Sequence, residues 1–177
     1  MLDYIIKKKM KNKNKAFFLD RDGVINEDIG YLNKKSQFKW LPGVKRAIKL
    51  LNEKKYKVIV ISNQAGVGKG YIKPKFLNEL NIWINKNLSK CKAKIDKFYY
   101  CPYHVNAIIK KYKKDSYDRK PKPGMIKKAI KKYNLDKKKC FMIGDRKKDY
   151  LAAKKVNIKF TYQKKNLYNQ VKKLINV

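Results

Sequence analysis

The segment Val58-Ile59-Val60-Ile61 carries no charge in a 177-residue chain that holds 48 basic residues. Four β-branched positions free of lysine need protein on both faces of the strand they form, which is the setting of a parallel sheet. Further strands are expected at Ala16-Phe17-Phe18-Leu19, Ile95–Tyr100, Cys140-Phe141-Met142-Ile143 and Ile158–Thr161. Helical segments alternate with them. Pro42 precedes Val44, Ala47, Ile48 and Leu51, whose 3/4 spacing marks an amphipathic helix. A second helix is expected from about Pro74 to Leu88, burying Phe76, Leu80 and Trp83 or Ile84. Others follow from about Gly124 to Tyr133, Lys148 to Lys155 and Leu167 to Ile175. This β-α-β-α order predicts an α/β fold, a Rossmann-like parallel sheet with right-handed crossovers and helices on both faces.

At 21.0 kDa and 44% hydrophobic residues the chain can build one core, which excludes a wholly disordered reading. Residues 1–15, a Lys/Asn run without periodicity, read as a mobile basic arm, and residues 16–177 as one domain. The net charge of +35 would ordinarily point to nucleic acid or an anionic membrane. Here 44 of the 48 basic residues are Lys, scattered over every segment with abundant Asn, Ile and Tyr. That is the composition an A+T-rich genome produces, so solvated lysine faces explain the charge and no nucleic-acid partner is expected, with a basic nucleic-acid-binding protein or a nucleic-acid 3′-phosphatase as the alternative reading of the charge. Three cysteines, Cys91, Cys101 and Cys140, have no framework spacing, which implies a reducing compartment. No apolar run approaches the roughly 20 residues of a membrane span, and a cytoplasmic monomer is expected.

Four of only 13 acidic residues sit in two short segments, Asp20-Arg21-Asp22-Gly23 and Gly144-Asp145-Arg146-Lys147-Lys148-Asp149, each following an apolar run. In an open α/β sheet the carboxyl ends of such strands share one crevice. Carboxylates gathered there repel one another unless a hard cation lies between them, which points to Mg²⁺ with oxygen ligands. Ser62-Asn63, at the end of the second strand where a polar glycine-rich loop is expected to run to Gly70, offers a hydroxyl, an amide and backbone N–H groups to a phosphoryl oxygen. Arg119-Lys120-Pro121-Lys122-Pro123-Gly124 sets cations before a helix start, where the helix dipole also favours an anion. Each segment alone has a bland explanation as a strand end, an N-cap or a basic loop. All four in order, at strand ends, describe an aspartate-based phosphoryl-transfer site. Arg21, Arg119 and Arg146, three of the four arginines, fall inside these motifs. The irregular stretch from Cys101 to Pro123 is long enough to be functional.

These motifs resemble the haloacid dehalogenase-like hydrolase superfamily over most of the chain, from Ala16 to Tyr162. More narrowly the chain is similar to the bacterial D-glycero-D-manno-heptose 1,7-bisphosphate phosphatases, through Phe17–Asn26, Asp28-Ile29-Gly30-Tyr31, Ser62–Gly66, Tyr99-Tyr100-Cys101-Pro102, Arg119–Met125 and Met142–Asp145. The histidinol-phosphate phosphatases share the catalytic motifs. The resemblance implies a Mg²⁺-dependent phosphatase with little or no cap domain, acting on a small phosphorylated sugar. It implies Asp20 as nucleophile and Asp22 as general acid. Asp20, Asp145 and the backbone carbonyl of Asp22 would ligate Mg²⁺, and Ser62 and Lys120 would hold the phosphoryl oxygens. Arg21, Asp28, Ile29, Gly30, Tyr31, Asn63, Gln64, Ala65, Arg119 and Arg146 would meet the substrate. Relatives also hold a structural Zn²⁺ through Cys-x-His and Cys-x-Cys pairs. Here the corresponding positions read Cys101-Pro102-Tyr103, with His104 one position late, and Ser116-Tyr117-Asp118. Cys101, His104 and Asp118 do not make a closed tetrahedral set, so packing of Tyr103, Tyr112 and Tyr117 is expected to hold the loop.

Overall fold

The computed structural model describes residues 13–176. Five parallel strands, β1 (Lys15–Leu19), β2 (Tyr56–Asn63), β3 (Lys97–Cys101), β4 (Phe141–Gly144) and β5 (Lys159–Tyr162), form one sheet in the order β3-β2-β1-β4-β5. The helices are α1 (Val44–Glu53), α2 (Ala65–Gly68), α3 (Pro74–Ser89), α4 (Gly124–Tyr133), α5 (Lys147–Lys154) and α6 (Leu167–Leu174). The expected arm at 1–15 lies largely outside the described residues. Its last residues are part of the domain: Lys15 opens β1, and the Asn14 backbone exchanges hydrogen bonds with Asn134 (3.0 Å) and Asp136 (2.8 Å).

The period-2 alternation of β1 and β2 divides the core. Phe17, Leu19, Val58 and Val60 face α1, α3 and α6 through Ile48, Leu51, Leu80, Ile84 and Val171. Phe18, Ile59, Ile61 and Met142 face α4 and α5 through Met125, Ala129, Ala152 and Ala153. Each such large apolar side chain contributes about 1.5–3 kcal/mol by burial, so both faces of β1 and β2 must stay covered, as their uncharged runs required.

Two expectations need correction. In α3 the buried ladder is Leu77, Leu80, Ile84 and Leu88, while Phe76 and Trp83 are only half-buried at its margin. The 3/4 ladder, not side-chain size, decides which stripe meets the sheet. The glycine-rich segment after Asn63 is not wholly a loop. It forms α2, whose poor intrinsic propensity is overcome by burying Val67 against Ile72 and Leu77.

Candidate active site

From β1 the chain moves outward to β2 and β3, and from β4 outward to β5, so the crevice between the carboxyl ends of β1 and β4 is the switch point of the sheet. Asp20 leaves β1 there, its N–H donating to the Ile143 carbonyl of β4 at 3.0 Å. Asp145 leaves β4 beside it. The turn after Asp22 presses on Asp145: Gly23 has φ +83°, and a Cβ on it would collide with the Asp145 carboxylate. Asp149, in the first turn of α5, reaches back and accepts from the Arg146 N–H at 3.1 Å.

One carboxylate oxygen from each of Asp20, Asp145 and Asp149 lies within 4.8 Å of the others. Opposite them stands Lys120, fully buried, with its ammonium 2.8 Å from Asp20 Oδ2, 2.6 Å from Asp149 Oδ1 and 2.7 Å from the Ile61 carbonyl. One ammonium cannot neutralise the carboxylates. Burial, and then the charge of Asp149, push Asp20 up to about 6 although Lys120 pulls the other way. Burial and Asp149 likewise raise Asp145. For Lys120 burial favours the neutral amine, but Asp20 and Asp149 outweigh it and the ammonium is held more firmly than usual. Asp145 Oδ1 is buried without a hydrogen-bond partner. Crowded carboxylates with an unpartnered oxygen are a donor set that suits a hard divalent cation such as Mg²⁺.

Asp22 is held from three sides. Arg21 donates to it through Nε (3.1 Å) and Nη2 (2.9 Å), Asn26 Nδ2 donates at 2.9 Å, and Gln64 Nε2 at 2.8 Å. Gln64 also donates to Ser62 Oγ at 2.8 Å, which leaves the serine O–H free to donate into the cleft. Asn63 exchanges two hydrogen bonds with the Lys120 backbone, 2.9 and 3.0 Å, and so fastens the loop carrying Lys120 to the end of β2.

The cleft is lined by Asp20, Asp22, Asp28, Gly30, Tyr31, Ser62, Asn63, Gln64, Ala65, Arg119, Asp145 and Arg146, among the residues expected from sequence. Three expectations differ. The Arg21 guanidinium is buried on Asp22 and does not line the cleft, and Ile29 is exposed away from it. Lys120 lies beneath the floor, in contact with Asp20, and not on the cleft surface. Asn26 and Lys148 carry no role in the sequence motifs, and Asp149 enters them only as a member of the second acidic segment. The four-residue step from Asp145 to Asp149 was the available signal, because it places the second carboxylate one helical turn on, facing back.

The loop from Cys101 to Arg119 packs Tyr103 on Tyr112, with ring centroids 5.9 Å apart, and Lys114 over Tyr103 at 4.1 Å. Tyr117 is exposed and does not join them, contrary to expectation. Cys101 is buried, His104 Nδ1 accepts from the Asn106 N–H at 2.9 Å, and Asp118 pairs with Lys128.

A family model for haloacid dehalogenase-like hydrolases matches residues 7–157. A D-glycero-alpha-D-manno-heptose-1,7-bisphosphate 7-phosphatase of Photorhabdus laumondii subsp. laumondii is 37% identical over 147 residues, 83% of this chain and 80% of its own. A D-glycero-beta-D-manno-heptose-1,7-bisphosphate 7-phosphatase of Pasteurella multocida is 39% identical over 147 residues, 83% of this chain and 79% of its own. In fold, the chain is similar to the D,D-heptose 1,7-bisphosphate phosphatase from B. bronchiseptica complexed with magnesium and phosphate. The TM-score is 0.81 at 22% identity, over 92% of this chain and 98% of that one.

Proposed function

We propose a function from one premise: the chain belongs to the haloacid dehalogenase-like hydrolases, and within them to the family of D-glycero-D-manno-heptose-1,7-bisphosphate 7-phosphatases. It is a phosphoric monoester hydrolase that removes the 7-phosphate of D-glycero-D-manno-heptose 1,7-bisphosphate, on the way to a lipopolysaccharide-core nucleotide sugar, in the cytoplasm. The observation that carries the chemistry is the placement of Asp20 at the switch point with Lys120 buried against it.

Asp20 attacks phosphorus, forming an aspartyl-phosphate as the bond to the sugar oxygen breaks. Lys120 and the Arg21 N–H (2.7 Å) hold one oxygen each of its carboxylate in place. Asp22 gives a proton to the departing alkoxide and then takes one from the water that cleaves the aspartyl-phosphate. All its partners here are donors, which suits the proton-accepting carboxylate. To protonate the sugar oxygen its side chain must part from Arg21. Ser62, with its O–H free, and Arg119 meet the phosphoryl oxygens and the rest of the ester. Magnesium held by Asp20, Asp145 and the Asp22 carbonyl, with Asp149 behind, would supply the charge that neutralises the phosphoryl group. The loop holding Cys101, His104 and Asp118 needs no structural zinc on this reading. Elemental analysis showing one tightly held zinc per chain would overturn that part.

Phosphate release from both anomers of the heptose bisphosphate, histidinol phosphate and a 3′-phosphorylated oligonucleotide tests the substrate. A heptose anomer should lead by at least ten-fold in kcat/KM. A lead for histidinol phosphate or the oligonucleotide would refute the assignment.

A further inference from the structure

Part of the cleft wall is built from Tyr31 and from Ala65 and Gly66 of α2. The Tyr31 ring lies on bare backbone at Gly66, where a Cβ would come within 2.8 Å of the ring. The Tyr71 N–H donates to the Gly66 carbonyl at 2.8 Å, which brings the Tyr71 side chain alongside. The two phenol rings pack with centroids 4.8 Å apart at 50°. Both remain open to solvent, Tyr31 39% and Tyr71 53% exposed. Tyr31 lines the cleft, so the pair sits at its mouth.

Lys69 ends α2, its ammonium 5.6 Å from the Tyr31 ring centroid. The Tyr31 hydroxyl strengthens its hold on its proton, while the Arg119 charge opposes it. Arg146, which also lines the cleft, is paired with Asp28 and Asp145. Neither Lys69 nor Arg119 has a carboxylate partner among the described residues. Lys69 stands over Tyr31, and Tyr31 and Arg119 line one cleft, so two cations without carboxylate partners beside a half-open aromatic pair leave a place for an anion attached to a group with a C–H face. The positive edge of such a group settles on the negative face of an aromatic ring, and a phosphate oxygen between two cations makes charge-assisted hydrogen bonds.

We propose that Lys69 and Tyr71 complete a subsite for the far end of the substrate, Lys69 with Arg119 taking the phosphate that is not hydrolysed and Tyr71 with Tyr31 covering the sugar ring. This rests on the bisphosphate reading above. It assigns to two residues outside the catalytic motifs the preference for a bisphosphate over a monophosphate.

The test is kcat/KM of the Mg²⁺-loaded enzyme on the heptose 1,7-bisphosphate, the heptose 7-phosphate and acetyl phosphate, which has no ring. Lys69→Ala should lower the bisphosphate value by roughly ten-fold or more, the scale of one lost charge-assisted hydrogen bond. The loss should lie mainly in KM, with less than about a three-fold change for the 7-phosphate on the same scale. Lys69→Arg should restore most of it. Tyr71→Ala should weaken both sugar esters and spare acetyl phosphate. Lys159→Ala, at the opposite end of the sheet, should change none of the three. Equal losses on bisphosphate and monophosphate, or no loss, would overturn the subsite. Failure of the function looks different: the heptose esters are poor substrates while another sugar bisphosphate is good. Lys69→Ala must then still abolish the preference for that bisphosphate over its monophosphate, and a wild-type enzyme with no such preference overturns the subsite.

Discussion

Lys120→Met removes one ammonium and leaves the hydrocarbon stem nearly intact, so its effect isolates the charge. The side chain has no solvent exposure, and its nitrogen lies within 2.8 Å of Asp20 Oδ2, Asp149 Oδ1 and the Ile61 carbonyl. Asp149 is fully buried and Asp20 is 5% exposed. Deleting one member of a buried ion pair costs about 3–5 kcal/mol, because the remaining charge has neither partner nor water. In a chain of this length that corresponds to a Tm lowered by roughly 6–20 °C. The measurement is thermal and urea unfolding in EDTA, at several pH values. The deficit should shrink on acidification, since Asp20, already raised to about 6, rises further without the lysine and becomes neutral. Added Mg²⁺ should recover part of it, by supplying another cation to the same carboxylates. Asp149→Asn combined with Lys120→Met should be less destabilised than Lys120→Met alone. A loss below about 1 kcal/mol, or one that ignores both pH and Mg²⁺, would show that Lys120 does not neutralise these aspartates.

Asp20→Asn should keep the fold and lose turnover by many powers of ten, because the amide cannot attack phosphorus; near-normal rates in the purified variant would sink the mechanism. The same variant tests linkage. The folded chain keeps an Asp20 proton between about pH 4 and 6 that the unfolded chain has lost, so this group makes metal-free stability fall as pH rises through that window. Asn should flatten that fall, and an unchanged slope would contradict the raised value. Asp22→Asn should lose far more activity on a sugar phosphate, whose alkoxide needs a proton, than on an activated aryl phosphate; equal losses would remove the general-acid role. Exhaustive chelation should stop turnover and Mg²⁺ should restore it, whereas full activity in EDTA is incompatible with the carboxylate cluster.

The elements were legible where apolar period and chain punctuation agree. Val58–Ile61 grew by only two residues at each end, to Tyr56–Asn63, and Pro74 marked the start of α3 to the residue. Strand order was not legible, because it depends on which strand finds which neighbour over distances that no local pattern encodes. The β1–β4 pairing is the part of that order the site depends on, because it brings Asp20 to Asp145. The site was legible as a set of strand-end motifs but not as a division of labour. Arg21 and Asn63 belong to the motifs, yet their side chains are spent on Asp22 and on the Lys120 backbone. Conversely, Asp149 looked like an ordinary acid in a first helical turn, and only the packing of α5 against β4 turns it inward to Lys120.

Charge was informative in this chain where it was scarce. Lysine occupies nearly every available surface, so a lysine in a loop says little about function. Arginine is used four times, and Arg46 stacks its guanidinium on Tyr168 at 4.1 Å, far from the cleft. The other three stand where a planar fork does what an ammonium cannot. Arg21 grips Asp22 through two nitrogens, Arg146 spans Asp28 and Asp145, and Arg119 points a donor at the Tyr103 carbonyl while lining the cleft. At the catalytic centre lysine enters as Lys120, where burial removes its freedom and two carboxylates and the Ile61 carbonyl hold its ammonium. Around Asp20 a sequence saturated with one cation thus separates its functional positive charges from its solubilising ones by residue type and burial.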